Sequence, residues 1–337
     1  MVPALSPSRA VDFLQCPLLY RFRALDRLPE PASPAAARGI LVHAVLERLF
    51  DLPAGGRTRD AAGELLPGQW TRMVDERPEL SDLVDEADPA RLQSWFDDAL
   101  RLIERWFTLE DPTRLEPAER ELYVETEIDG LILRGYVDRL DVAPDGRMRV
   151  VDYKTGRAPS ELFEGKALFQ MKFYALVLWR LHGRVPTRLQ LVYLGSGELL
   201  TYEPDEHDLR AVERKVKALW VAIERAATDG DFRPRPSRMC DWCGHKQLCP
   251  AFGGVAPPIP DDAVVLALDP RASGAVELVA TPSSSASSAG SASSAGSTGS
   301  AESAGSAGSL LVAEATAAEA PMAGRRAPDS PRVGVVP

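Results

Sequence analysis

The chain has 337 residues with 49 acidic and 39 basic side chains, a formal charge of −10, which excludes a protein that coats nucleic acid through bulk positive charge. It contains no apolar run of the roughly 18–20 residues that span a bilayer, and no basic stretch followed by an apolar core at its start. A cytoplasmic location without a membrane partner is therefore expected, and because thiols stay reduced there, the four cysteines ask for a purpose other than disulfides.

The folded unit is expected over residues 1–253. From about Pro257 onward Ala, Ser, Gly and Pro dominate, and 283–309 is almost entirely Ser, Ala and Gly. Such a segment has too little apolar surface to offset its chain entropy, so 254–337 is expected to be a disordered tail.

Ser6 followed by Pro7 is a helix start, with Val11, Phe13, Leu14 and Leu18 as apolar surface around Cys16-Pro17. Residues 38–50 carry the spacing of a largely buried helix. There Gly39 and His43 share one face, with Glu47 a turn further on. Residues 52–114 read as a helical insertion. Its amphipathic stretch, Ala90 to Phe107, carries an aromatic stripe that reads as packing, with base stacking by Trp95 or Trp106 as the alternative.

Residues 118–129 alternate as a strand, with Glu121, Glu125 and Glu127 on the polar face. Gly135 to Gly156 then reads as a hairpin, GYVDRLD and VVDYKTG joined by the turn Pro144-Asp145-Gly146. Period two puts Asp152 and Lys154 on one face and Tyr153 on the other, with Asp138 on the partner strand. Carboxylates suit Mg²⁺ or Mn²⁺, and a neighbouring lysine can orient water or stabilise charge on a phosphate.

A helix follows over about 160–181, bearing Gln170 and Tyr174 four apart on one face. Residues 187–194 and 198–202 form a second hairpin through Gly195-Ser196-Gly197, completing a mixed sheet. A helix capped by Asp205 runs to about Thr228. The last element holds Cys240, Cys243 and Cys249, a metal-binding spacing because adjacent thiolates need a cation between them. Zinc, held by four thiolates or by three with His245, and a [4Fe–4S] cluster both satisfy that spacing.

In order, Gly-x-x-x-His, GYVDRLD, VVDYKTG and Gln-x-x-x-Tyr resemble the PD-(D/E)xK nuclease superfamily, in its RecB-like exonuclease branch. The resemblance covers most of residues 1–253 and implies an α/β, restriction-endonuclease-like core with a central mixed sheet flanked by helices. It makes His43, Asp138, Asp152 and the Tyr153 carbonyl metal ligands and Lys154 the catalytic lysine, and it has Gln170 and Tyr174 guide the DNA. An acidic residue ahead of Asp138 joins the site in some relatives, which makes Glu121, Glu125 and Glu127 candidates. Cys16, far upstream, and the three late cysteines resemble the [4Fe–4S] set of such nucleases, similar to AddB-type and CRISPR-adaptation enzymes, a cluster that pins the two ends of the domain together. The implied activity is Mg²⁺- or Mn²⁺-dependent hydrolysis of DNA, at single strands or ends, in repair or recombination. A CRISPR-adaptation nuclease and a catalytically silent DNA-binding scaffold are the alternatives. No helicase motifs are present, so unwinding would fall to a partner.

Overall fold

The computed structural model describes residues 4–84, 88–159 and 164–259. The start expected for the helix at 160 and the tail from 260 onward lie outside the described residues.

Among the described residues, six strands form one mixed sheet: β1 (Ala4–Leu5), β2 (Glu119–Ile128), β3 (Leu131–Val142), β4 (Met148–Lys154), β5 (Arg188–Tyr193) and β6 (Glu198–Tyr202). The order is β1-β3-β4-β5-β6, with β2 also paired to β3. β1–β3 and β4–β5 are parallel and the other pairs antiparallel. The helices are α1 (Pro7–Gln15), α2 (Pro17–Tyr20), α3 (Pro34–Leu49), α4 (Arg59–Glu76), α5 (Pro89–Leu109), α6 (Glu164–His182) and α7 (Glu206–Asp229). Ser6 caps α1 with Pro7 in its first turn, and Asp205 caps α7, as the sequence indicates.

Two turns set the central strands. Asp129 and Gly130 both take positive φ, 51° and 82°, the requirement of a tight turn that matches strand twist, and they join β2 directly to β3. Gly146, at φ 80°, turns β3 into β4. β3 is longer than the predicted hairpin arm, because it pairs with β2 from Leu131 to Leu140 while β4 takes only Arg139 to Val142.

Alternation splits the hydrophobic residues between two cores. Val150 and Leu191 face the layer of α1, α2, α6 and α7, packing with Leu133, Phe173, Leu176 and Trp220. Val151, Tyr153, Val192 and Leu194 face α3, α4 and α5. The helical insertion of 52–114 thus supplies the second covering layer. Trp106 is fully buried and Trp95 is 8% exposed, so both pack the core and neither offers a face for base stacking. The chain stays packed beyond the boundary expected at Gly253: Ala256 and Ile259 lie against the first core, and the Arg21 guanidinium donates to the Pro257 carbonyl.

Each strand has only two edges. β2 occupies one edge of β3 along its length, so β1 (at Ile132 and Leu133) and β4 (from Arg139 to Val142) share the other. Between them residues 134–138 have no strand partner on that side, and α1 and α6 close in at Gly135. A Cβ there would sit 2.7 Å from Tyr174 Cε1 and 3.4 Å from Pro7 Cδ.

Candidate active site

The β3–β4 ladder ends at Arg139↔Val151. One step further Asp138 and Asp152 would be partners, and there the strands part. The Tyr153 N–H, released from the ladder, donates to Asp138 Oδ2 at 2.7 Å. β4 itself remains held on its other side by β5 as far as Lys154↔Tyr193. The two aspartates are thus presented side by side at the fork between adjacent strands.

α3 brings His43 to this fork. Its Nε2–H donates to the Tyr153 carbonyl at 2.9 Å, and Nδ1 lies 3.4 Å from Asp138 Oδ2. Gly39, a turn earlier, permits the approach: its Cβ position is 3.3 Å from Thr155 Oγ1. With Nε2 donating, Nδ1 turns a lone pair toward a carboxylate, and two such donors of electron density rest together only around a proton or a cation.

Glu121 completes the group. The register of β2 and β3 places it opposite Asp138, and its backbone breaks the ladder there with φ 45°. Single ligand atoms of His43, Glu121 and Asp138 all lie within 4.8 Å of one another. Burial, then the charges of Asp138, Glu47 and Asp152, push the Glu121 carboxyl up to about 9. One imidazole and several carboxylates converging on a point suit Mg²⁺ or Mn²⁺. The donor set therefore fits a divalent cation. Glu125 and Glu127 are exposed further along β2, so of the three candidate glutamates geometry selects Glu121. Glu47 lines the same small cleft with His43, Glu121, Asp138 and Tyr153.

On the other side of Asp152 the contacts close into a ring. Lys154 Nζ lies 2.9 Å from Asp152 Oδ2 and donates to Gln170 Oε1 at 2.9 Å, and Gln170 Nε2 donates to Asp152 Oδ1 at 3.2 Å. The Tyr174 hydroxyl is 3.4 Å from the same Gln170 nitrogen. Gln170 and Tyr174 are only 8% and 6% exposed. They face Asp152 and Lys154 from beneath.

Beneath the fork is a buried ion network that the sequence did not announce. Arg139 pairs with Glu110 through two contacts, 2.7 and 2.9 Å, and donates to the Tyr153 hydroxyl at 2.5 Å. Glu110 also accepts from Trp106 at 2.8 Å and Gln190 at 3.3 Å. Burial pushes the Glu110 carboxyl up, and the Arg139 pair more than offsets this, leaving it below its ordinary value. Tyr153 is therefore fixed at its ring while its backbone serves Asp138 and His43.

The cysteines meet at the opposite end of the chain's course. Cys16, Cys240, Cys243 and Cys249 line one partly open pocket with Leu18 and Phe22. Backbone N–H groups of Arg235 and Ser237 donate to the sulfurs of Cys16 and Cys240, each at 3.3 Å. No three of the four sulfurs lie within 4.8 Å of one another. His245 is buried with Nε2 2.9 Å from Glu30 Oε1, a contact that leads in pulling the Glu30 carboxyl down to about 2.

The family model of the PD-(D/E)XK nuclease superfamily matches residues 4–250. The Gene 69 protein of Mycobacterium phage D29 is 25% identical over 280 residues, covering 74% of this chain and 98% of that protein. The Gene 69 protein of Mycobacterium phage L5 is 28% identical over 135 residues, 39% of this chain and 44% of that one. Among solved structures, a Eubacterium rectale protein assigned as an exonuclease superposes with a TM-score of 0.50 at 14% identity, over 77% of this chain and 92% of its own, a likeness of fold. The chain belongs to the PD-(D/E)XK nuclease superfamily.

Proposed function

We propose that the protein is a metal-dependent exonuclease that hydrolyses DNA at single strands or ends. The observation that carries this reading is the fork at Asp138 and Asp152, with Lys154 2.9 Å from Asp152 and His43 3.4 Å from Asp138. His43, Asp138, Asp152 and the Tyr153 carbonyl would hold Mg²⁺ or Mn²⁺, with Glu121 as a further carboxylate ligand. Such an ion supplies an activated water and neutralises charge on the phosphate. Lys154 brings a cation and proton donors to the reacting phosphate, and Gln170 holds its ammonium in position by accepting from it. Tyr153 keeps Asp138 and His43 at the fork through its own N–H and carbonyl.

The four cysteines support a [4Fe–4S] cluster in this reading. All four cysteines line one pocket, and a [4Fe–4S] cluster takes four thiolates. His245 faces Glu30, which argues against a three-cysteine, one-histidine zinc site. The cluster would tie the N-terminal helices to the segment after α7 and so close the domain around its sheet. A DNA-unwinding partner and a repair or recombination setting accompany this proposal.

The test is degradation of end-labelled single-stranded DNA with Mg²⁺ or Mn²⁺ by the full chain, purified without oxygen, beside Asp152→Ala and Lys154→Ala. Loss of label with the native protein and none with either variant supports the reading. Equal degradation by all three proteins overturns the assignment of the fork. Iron and sulfide analysis of the same preparation decides the cluster separately, and a colourless zinc protein refutes it.

A further inference from the structure

The solvent face of the β2–β3 ribbon carries an ordered series that begins at the metal group. Register partners on this face are Tyr123 with Tyr136 and Glu125 with Arg134, following Glu121 and Asp138, which fall opposite each other at the break in the ladder. The opposite face, with Leu122, Val124, Val137 and Leu133, packs the core. Tyr123 is 43% exposed although it is a large aromatic on a regular strand, where a polar residue would ordinarily stand. Its ring lies 5.2 Å from that of Tyr136, tilted by 54°. Its hydroxyl donates to Glu125 at 2.5 Å, which fixes the ring's outer end.

Positive charge follows the aromatic pair. α1 starts beside β3 at Gly135, and burial above all, then the charges of Arg134 and Arg27, hold the guanidinium of Arg9 in its first turn below the ordinary arginine value against the opposing pull of Tyr20 and Asp12. Three arginines gather here against two neighbouring carboxylates, Asp12 beside Arg9 and Glu125 opposite Arg134, which leaves a surplus of positive charge. At about 3.3 Å of rise per residue, Tyr136 and Arg134 stand roughly 7 and 13 Å along β3 from Asp138, a spacing on the scale of successive nucleotides in an extended strand.

We infer that this ribbon face is the docking track for single-stranded DNA on one side of the fork, with a base stacked on Tyr123 and Tyr136 and the next phosphates held by Arg134 and Arg9. The inference rests on the nuclease reading and adds a guiding surface on the solvent side of the ribbon, apart from the buried Gln170 and Tyr174. Continuity with Asp138 and the sequence of aromatic pair then arginines are what single-stranded nucleic acid takes: stacking that tolerates any base, and cations that track its backbone.

The experiment is binding of fluorescein-labelled oligothymidylate to the full chain with its metal centres, followed by anisotropy in the Lys154→Met background so that the probe is not consumed. Tyr123→Ser and Tyr136→Ser should each weaken binding about tenfold or more, while Tyr123→Phe and Tyr136→Phe keep it, since stacking needs the ring and not the hydroxyl. Arg134→Gln should weaken binding and lower the slope of log affinity against log salt by about one. Melting curves check that each variant is folded. Serine variants that bind like the parent, phenylalanine variants that lose as much as serine ones, or a parent that does not bind the oligonucleotide would each overturn the track. Digestion is measured in parallel with Lys154 intact. Tyrosine-dependent binding without cutting would keep the track and refute the nuclease reading.

Discussion

Replacing Glu110 with Ala removes the acceptor at the centre of the network beneath the fork. Arg139 is 1% exposed and Glu110 6% exposed at the side chain, so the pair is shielded from solvent. Removing one partner of such a pair costs about 3–5 kcal/mol because the other charge stays buried. Asp141 remains 3.1 Å from Arg139 and keeps the loss toward the lower end, while Trp106 and Gln190 each lose an acceptor, about 1 kcal/mol apiece. For a domain of this size, about 2–4 °C of melting temperature goes with each kcal/mol, so a total loss of about 5 kcal/mol gives a fall of roughly 10–20 °C in circular-dichroism melts. Glu110→Leu combined with Arg139→Met should recover much of it, since neither charge is then left alone. A fall of less than about 3 °C for Glu110→Ala, or a double variant no better than the single one, would refute the reasoning.

Three further outcomes follow from the geometry. Lys154→Met should lower kcat by about 10²–10³-fold with little change in KM, and Gln170→Leu should lower it less, measured by initial rates on labelled DNA. Gly195→Ala should cost about 1–3 kcal/mol by denaturant titration, because the new Cβ would lie 2.3 Å from the Gly156 carbonyl oxygen, which is backbone and does not swing aside. Glu121 bears on pH: its folded value, about 9, lies above the ordinary 4.5. The protonated form thus favours the fold, a contribution fully present below 4.5 and lost as pH rises through about 9. Metal-free protein should accordingly melt at lower temperature as pH rises across that window, and Glu121→Gln should flatten the trend in a series of melts.

The fork was legible in the sequence because its chemistry lies within one hairpin. Asp138, Asp152 and Lys154 are placed by period two and a Pro-Asp-Gly turn, and His43 by its helical spacing from Gly39. Choosing Glu121 from three alternating glutamates needed more, namely the register of β2 against β3 set by the Asp129-Gly130 turn. Alternation alone puts all three on one face. Glu110 gave no signal, since it follows the end of α5 and meets Arg139 and Gln190 only after the sheet has formed, across 29 and 80 residues of sequence. Gln170 and Tyr174 were found by spacing, yet their burial depends on how closely α6 approaches β3 at Gly135. Tyr123 and Tyr136 read as ordinary strand residues until pairing placed their rings together on the solvent side.

The central claim is most directly tested by incubating uniformly labelled linear single-stranded DNA and the same sequence closed into a circle with Mn²⁺ and the native protein or Asp152→Asn. The linear strand should be degraded to short products while the circle survives, and Asp152→Asn should leave both intact. A native protein that binds Mn²⁺ and leaves both strands uncut would contradict the assignment of the fork as a nuclease centre.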